Sequence, residues 1–172
     1  MRHPGADALL GGFRFEVSFT EHLLGDKAGE AVELCRGAFS ECSGLEASME
    51  PKVIREGGRN WGVVQRAGRV NFATVVLKRG LTRCGDLWAW FSLVGQRAYA
   101  HRLDVVITLF DGAGQGVMSW SLVNALPVKF KAPDLNASNS EVVIEELHLA
   151  HEGLARIKPL RQNLATAGAG GG

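Results

Sequence analysis

The stretch Trp120–Leu154, WSLVNALPVKFKAPDLNASNSEVVIEELHLAHEGL, decides the fold. It is rich in strand formers and carries a proline in mid-run, several carboxylates and two histidines, yet it matches no catalytic pattern. Asn124-Ala-Leu-Pro127 ends one strand, and Val128-Lys-Phe-Lys131 begins the next. Pro127 cannot donate to a ladder, so it belongs at a strand start, an edge or a corner, and here it marks a bend between sheets. In SEVVIEELHLA (Ser140–Ala150), Val142 and Ile144 point one way and Leu147 and Leu149 the other, with Glu145-Glu146 between. Either a bulge switches the faces there or both faces are partly covered.

Strand signals continue outward from that stretch. Leu103, Val105, Ile107 and Leu109 alternate with other residues, DGAGQG (Asp111–Gly116) supplies a turn, and VMSWSLVNA returns as the second strand of a hairpin. Upstream, Phe13, Phe15, Val17 and Phe19 alternate with Arg14, Glu16, Ser18 and Thr20 as a half-buried strand. VNFATVVLK (Val70–Lys78) reads as one further long strand. One helix stands out in GDLWAWFSLVGQRA, where Leu87, Phe91, Val94 and Ala98 form a stripe with Trp88 beside it. Asp86 suits its first turn and Arg97 its last; Trp90 falls at the edge of the stripe, where partial exposure is open, but a core position is the default for both Trp88 and Trp90.

Composition bounds what such a chain can be. At 172 residues it fits one domain, long enough to bury a core without staples. Nineteen basic against 18 acidic residues argue against a dedicated nucleic-acid binder. Apolar runs such as Val75–Leu77 fall far short of a membrane span, and MRHPGADALLGG holds no signal-peptide core. Residues 1–12 and 157–172 are expected to be flexible, flanking a domain over 13–156. Cys35, Cys42 and Cys84, odd in number and without metal spacing, read as reduced thiols in a cytoplasmically made protein.

Charge is balanced overall but segregated along the chain. Between Glu50 and Arg83 eight bases stand against Glu50 and Glu56, whereas Glu16–Met49 and Asp134–Glu152 are acidic. Such blocks pair internally or present complementary surfaces to other copies. In the second case Lys52, Arg55, Arg59 and Arg66 meet Glu46, Glu141 or Glu145 of another subunit. Segment 50–66 then forms an extended loop engaging a neighbour, its glycines allowing unusual backbone angles and Trp61 serving as a buried anchor. The alternative is a mobile surface loop.

No chemistry-bearing motif competes with this reading. His148 and His151, three apart on a strand, point to opposite faces and share no metal. Gly57-Gly58 and Gly112–Gly116 fit neither the phosphate-binding loop nor the dinucleotide fingerprint. Asn136-Ala-Ser138 matches a glycosylation acceptor that matters only on secretion, and no Ser or Cys lies in a nucleophile elbow. Catalysis, a cofactor and a metal are therefore not expected.

Several short elements then occur in order: Phe39-Ser-Glu-Cys-Ser-Gly-Leu45, Arg55-Glu-Gly-Gly58, Leu77-Lys-Arg-Gly80, Leu87-Trp-Ala-Trp90, Trp120–Pro127 and Glu145–Leu154. Each is weak alone, but the ordered set, from about Phe13 to Leu154, resembles the tail tube proteins of contractile-tailed phages and extracellular contractile injection systems. The resemblance implies a mainly β fold of two packed antiparallel sheets, sandwich or barrel-like, with one flanking α-helix. It further implies six copies in a ring, rings stacked into a hollow tube, and strands pooled between subunits into one barrel lining the channel. Implied partners are the sheath, baseplate, tape-measure and cap proteins, and cargo in the lumen. No sequence-specific nucleic acid and no membrane insertion are implied, and the expected location is a virion or injection particle assembled in the bacterial cytoplasm. The segment TEHLLGDKAGEAVELCRGA before Phe39 is longer than the family's usual hairpin. It leaves open a main tube subunit or a specialised ring at the baseplate or cap end. A cargo-carrying ring is the reading from another class, and an enzyme on a β-sandwich is the third.

Overall fold

The computed structural model describes residues 14–21, 31–32, 39–55, 57–58, 62–83, 85–96, 102–135 and 143–159. In chain order the strands are β1 (Arg14–Glu21), β2 (Ala31–Val32), β3 (Phe39–Ser43), β4 (Ala47–Met49), β5 (Lys52–Ile54), β6 (Val64–Arg66), β7 (Val70–Phe72) and β8 (Val75–Gly80). The helix α1 (Asp86–Gln96) follows, then β9 (Leu103–Phe110), β10 (Gly116–Lys131), β11 (Ile144–Ala150) and β12 (Gly153–Ile157).

Strand β10 organises the architecture. Its first part pairs with β9 and β12, and its last part, Leu126–Lys131, pairs with β11. One long strand thus belongs to two sheets: a first sheet ordered β2-β1-β9-β10 with β12 beside β10, and a second ordered β10-β11-β8-β3. The bend expected at Pro127 is present, but as a turn within one continuous strand of 16 residues rather than a gap between two. Asn124 adopts φ 57, and the register shifts between Leu122 and Ala125 and again between Pro127 and Lys129. Those irregularities rotate the strand from one sheet plane into the other. Mainly β architecture, antiparallel pairing and, among the described residues, a single helix agree with the sequence reading.

Alternation places the core. Phe19, Leu103, Val105, Ile107 and Leu122 point inward from the first sheet and Val75, Leu77, Leu147 and Leu149 from the second. Each such side chain stabilises by about 1.5–3 kcal/mol on burial. The hairpin turn forms as expected: the Asp111 carboxylate accepts from the Ala113 and Gln115 amides at 2.9 Å each, while Gly114 takes φ +78.

Three local readings are corrected. VNFATVVLK is broken at Ala73-Thr74, because Val70–Phe72 leaves the second sheet to pair with β4, while Val75–Gly80 stays in it. In β11 the ladder to β8 is continuous, which excludes a bulge at Glu145-Glu146 and leaves the other alternative, both faces partly covered, with Glu146, His148 and Ala150 half-buried on the outward side. Glu145 keeps the core phase with Leu147 and Leu149, and Ile144 is the exposed residue. On α1 the buried pair is Leu87 and Trp90, while Trp88 is 54% exposed. The inward stripe therefore runs through 87, 90 and 94, turned so that the Trp90 indole meets Phe19 edge-on at 5.9 Å. Arg97, Ala98 and Val142 lie outside the described residues.

Candidate functional site

Two features extend beyond the core. The first is an arm: β4 pairs with β7 and β5 with β6, continuing the β3–β8 hairpin outward. Within segment 50–66, expected to be an extended loop, Lys52–Ile54 and Val64–Arg66 thus pair as short strands, and the difference has a cause. Its strands are three residues long, and residues 47–53 are exposed on both faces, so no hydrophobic period marks them. Two glycines fix the arm's geometry. Gly44 at its root has φ +83, with the Thr74 carbonyl oxygen 2.2 Å from where a Cβ would sit. A Cβ on Gly68 would lie 1.8 Å from the Glu50 carbonyl oxygen, so only glycine lets the two strands close there.

The arm is poorly satisfied by itself. Met49, Val53, Val63 and Val70 are exposed, and an isolated two-stranded ribbon is marginal in water. Lys52 lies directly opposite Arg66 across the β5–β6 pair, and like charges in that position repel. Arg55 is also exposed, and Glu46 sits exposed at the arm's foot, where its carbonyl accepts from the Ala73 amide at 3.1 Å. Four of the expected self-association residues, Glu46, Lys52, Arg55 and Arg66, therefore share one projecting element. Arg59, Trp61 and Glu141 lie outside the described residues.

Glu145 does not join them. Its carboxylate is buried and accepts from Arg79 Nε at 2.5 Å, and Arg79 Nη2 donates to Asp86 Oδ1 at 2.5 Å. An acid held this way is part of the subunit's interior, paired within its own chain. The Arg79 guanidinium, 1% exposed, ties β8 to β11 and to the first turn of α1, where Asp86 Oδ1 also accepts the Leu87 amide at 3.0 Å. Sequence reasoning missed Arg79 altogether. The signal was available in its phase, two residues after Leu77 and four after Val75.

The second feature is the outward face of the second sheet. Glu41, Lys78, Glu146 and His148 project there. Lys78 Nζ lies 2.9 Å from Glu41 Oε1, and His148 Nε2 lies 3.5 Å from Glu146 Oε2. His151 Nδ1 instead sits 2.9 Å from the Gly153 carbonyl oxygen, and its ring packs on Phe72 at 5.3 Å. No group of three His, Cys, Asp or Glu among the described residues is arranged to hold a metal ion. No described helix is long and apolar enough to cross a membrane. Cys42 is a free thiol whose burial, followed by the charge of Glu41, raises its pKa from 9.0 to about 11. Cys35 and Cys84 lie outside the described residues, as does most of the segment before Phe39, of which β2 pairs back on β1 at Phe19↔Val32.

The overall fold is shared with solved structures. A chain of the anti-feeding prophage baseplate, solved by cryo-EM with 6-fold symmetrisation, is 28% identical, with TM-score 0.68 over 88% of this chain and 97% of that one. A chain of the sheath–tube complex of PVC, an extracellular contractile injection system, has TM-score 0.71 at 22% identity, covering 89% of this chain and 94% of its own. A chain of the anti-feeding prophage tube-terminating cap has TM-score 0.70 at 21% identity, covering 91% and 96%. The last two likenesses establish the fold alone. No curated protein matches the chain by sequence. The profile of the T4-like virus tail tube protein gp19 matches residues 11–155, which is nearly the whole of the two sheets, the helix and the arm. The chain belongs to the T4-like virus tail tube protein gp19 family.

Proposed function

We propose that this chain is the repeating subunit of the inner tube of a contractile phage tail or injection particle. Six copies close a ring, rings stack head to tail inside a sheath, and cargo or DNA passes along the hollow. The observation that carries the proposal is the arm: a β-ribbon with apolar and like-charged side chains exposed, which needs another surface to become stable. Sixfold closure is supported by the 28% identical chain, which comes from a baseplate treated with 6-fold symmetry.

Sheath, baseplate, tape-measure and cap proteins are the partners this role requires, with cargo in the lumen. The subunit performs no catalysis, reads no nucleic-acid sequence and does not itself insert in a membrane. It assembles in the bacterial cytoplasm and leaves as part of a virion or particle. A second reading, a specialised ring at the baseplate or cap end or a cargo-carrying ring, draws support from that same baseplate likeness. Imaging the purified protein by electron microscopy with native mass spectrometry separates them. Long stacked tubes support the first, isolated rings the second, and a monomer at all concentrations overturns both.

A further inference from the structure

Strand β10 changes partner over a few residues. Val123 pairs with Gly153 of β12 and Leu126 with Ala150 of β11, so the turn between β11 and β12 lies against the bend of β10. On the other side of β10, Leu122 pairs with Val105 and Ala125 with Leu103. Val123 and Asn124 thus stand opposite Asp104 alone, a bulge in which Asn124 takes φ 57. A residue with a side chain is strained in that conformation and persists there only where its surroundings hold it.

The holding groups come from both sides of the bend. The Asn124 amide donates to Asp104 Oδ1 at 2.8 Å, and Asn124 Nδ2 donates to Glu152 Oε2 at 2.6 Å. Arg102 Nη1, just before β9, donates to Glu152 Oε1 at 2.6 Å, and the Glu152 amide donates to the Val123 carbonyl at 2.9 Å. One carboxylate in the β11–β12 turn therefore ties the start of β9 to the corner where the first sheet becomes the second. The residue before it reaches the arm. His151 Nδ1 lies 2.9 Å from the Gly153 carbonyl oxygen, and since a carbonyl only accepts, Nδ1 donates. That bond closes the turn on itself and orients the ring, which packs on Phe72 at 5.3 Å. Phe72 ends β7 at the root of the arm, beside Ala73, whose amide donates to the Glu46 carbonyl.

We infer that the turn Ala150–Gly153 is the joint that sets the direction of the arm. Glu152 fixes the turn to the bend of β10, and His151 carries that position to Phe72. Glu152 and Asn124 are then positioning residues, acting on the arm through His151. Because bend and arm root share one short turn, the angle between the sheets and the direction of the arm are set together. A subunit whose wall is correctly bent thereby also carries its arm at the angle that a neighbour meets. Only this last consequence rests on the associating role proposed above for the arm.

Amide hydrogen exchange of the dissociated subunit reads the joint without requiring tubes. Ala73 at the arm's root is the reporter, and Leu147, buried on a central strand, is the reference. Losing one restraining bond raises local opening about tenfold. Glu152→Ala and His151→Ala should each speed exchange at Ala73 by that factor and leave Leu147 at the parent's rate. Gln96→Ala, exposed on α1, should change neither. An unchanged Ala73 rate in Glu152→Ala overturns the inference, whatever His151→Ala does. So does a parent whose Ala73 amide exchanges like an unfolded peptide, because the arm then has no set direction. If Glu152→Ala also speeds Leu147, Asn124→Gly decides, since glycine keeps the bend without strain and removes the bond to Glu152. Faster exchange at Ala73 alone then supports the joint, and any other result overturns it. Tube yield separates the two readings: a loosened root with the parent's yield supports the joint and counts against the arm's role in assembly.

Discussion

Arg79 and Glu145 are direct cross-strand partners on β8 and β11, both in the core phase, joined by a bond of 2.5 Å from guanidinium Nε to carboxylate. Because Arg79 also reaches Asp86 at the start of α1, one buried cation sets how the helix docks on the sheet. Removing Glu145 leaves the buried guanidinium with Asp86 but without its cross-strand carboxylate, at a cost of up to about 3–5 kcal/mol, the value typical of breaking a buried pair. Glu145→Ala should lower unfolding stability by that amount in urea titrations of the dissociated subunit. Arg79→Met combined with Glu145→Leu should recover most of the loss. A Glu145→Ala penalty below about 1 kcal/mol, the value of a surface pair, would contradict this account.

The two tryptophans of α1 should separate stability from association. Trp90 is buried against Phe19, so Trp90→Ala should cost the subunit about 3–5 kcal/mol. Trp88 rests only on Phe91 and Phe130 among the described aromatic rings, at 5.7 and 5.5 Å, and Trp88→Ala should cost about 1 kcal/mol. Equal penalties in thermal unfolding would mean that the helix presents a different stripe.

These contrasts mark where the sequence was legible. Alternation placed β1 and β9, the Asp111–Gly116 turn chemistry placed their hairpin neighbour, and Pro127 located the passage of β10 between sheets. Each of those signals is local and strong. Glu145 misled because a carboxylate in an apolar strand reads as a change of face unless its partner is known, and Arg79 lies 66 residues away. The helix stripe failed between 90 and 91, where both residues are aromatic and only the position of Phe19 decides. The arm was seen as an associating segment but not as strands, since exposure on both faces removes the period of two.

Cys42 offers a pH signature. The fold holds its thiol neutral, with the pKa raised from 9.0 to about 11, chiefly by burial. The folded state then retains a proton that the unfolded chain loses, so its contribution to stability is full below pH 9 and declines as pH rises toward about 11. Unfolding of the dissociated subunit should show that decline, and Cys42→Ala should flatten it. Cys42 should also react slowly with thiol reagents at pH 8 in the native state and quickly after denaturation. Rapid native labelling at Cys42 would rule out this environment.

Gly68 tests whether the arm's shape matters apart from the core. A Cβ there collides with the Glu50 backbone, far from the buried cluster. Gly68→Ala should leave the unfolding midpoint of the dissociated subunit within about 1 kcal/mol of the parent while sharply reducing ring or tube yield in sedimentation. Tubes formed at the parent's yield would show that the arm tolerates distortion and contributes little to assembly.

The arm's charge should govern the salt response of assembly. Lys52 and Arg66 face each other on β5 and β6, with Arg55 exposed just beyond, so the free arm sets like positive charges side by side. A neighbour presenting carboxylates relieves that repulsion. Glu46 is one described acid that is exposed and not committed to a buried pair, unlike Glu145. Single exposed pairs contribute only about 0–1 kcal/mol, but a tube repeats each one in every subunit. Screening over a Debye length of about 8 Å at physiological ionic strength should then weaken unsheathed assemblies as salt is raised. Reversing Arg55 and Arg66 to Glu should prevent association at low salt while leaving the circular dichroism of the subunit unchanged, because both side chains lie outside the core. If the double variant polymerises like the parent at both low and high salt, the arm binds through its apolar side chains, and Met49, Val53 and Val70 become the contacts to remove next.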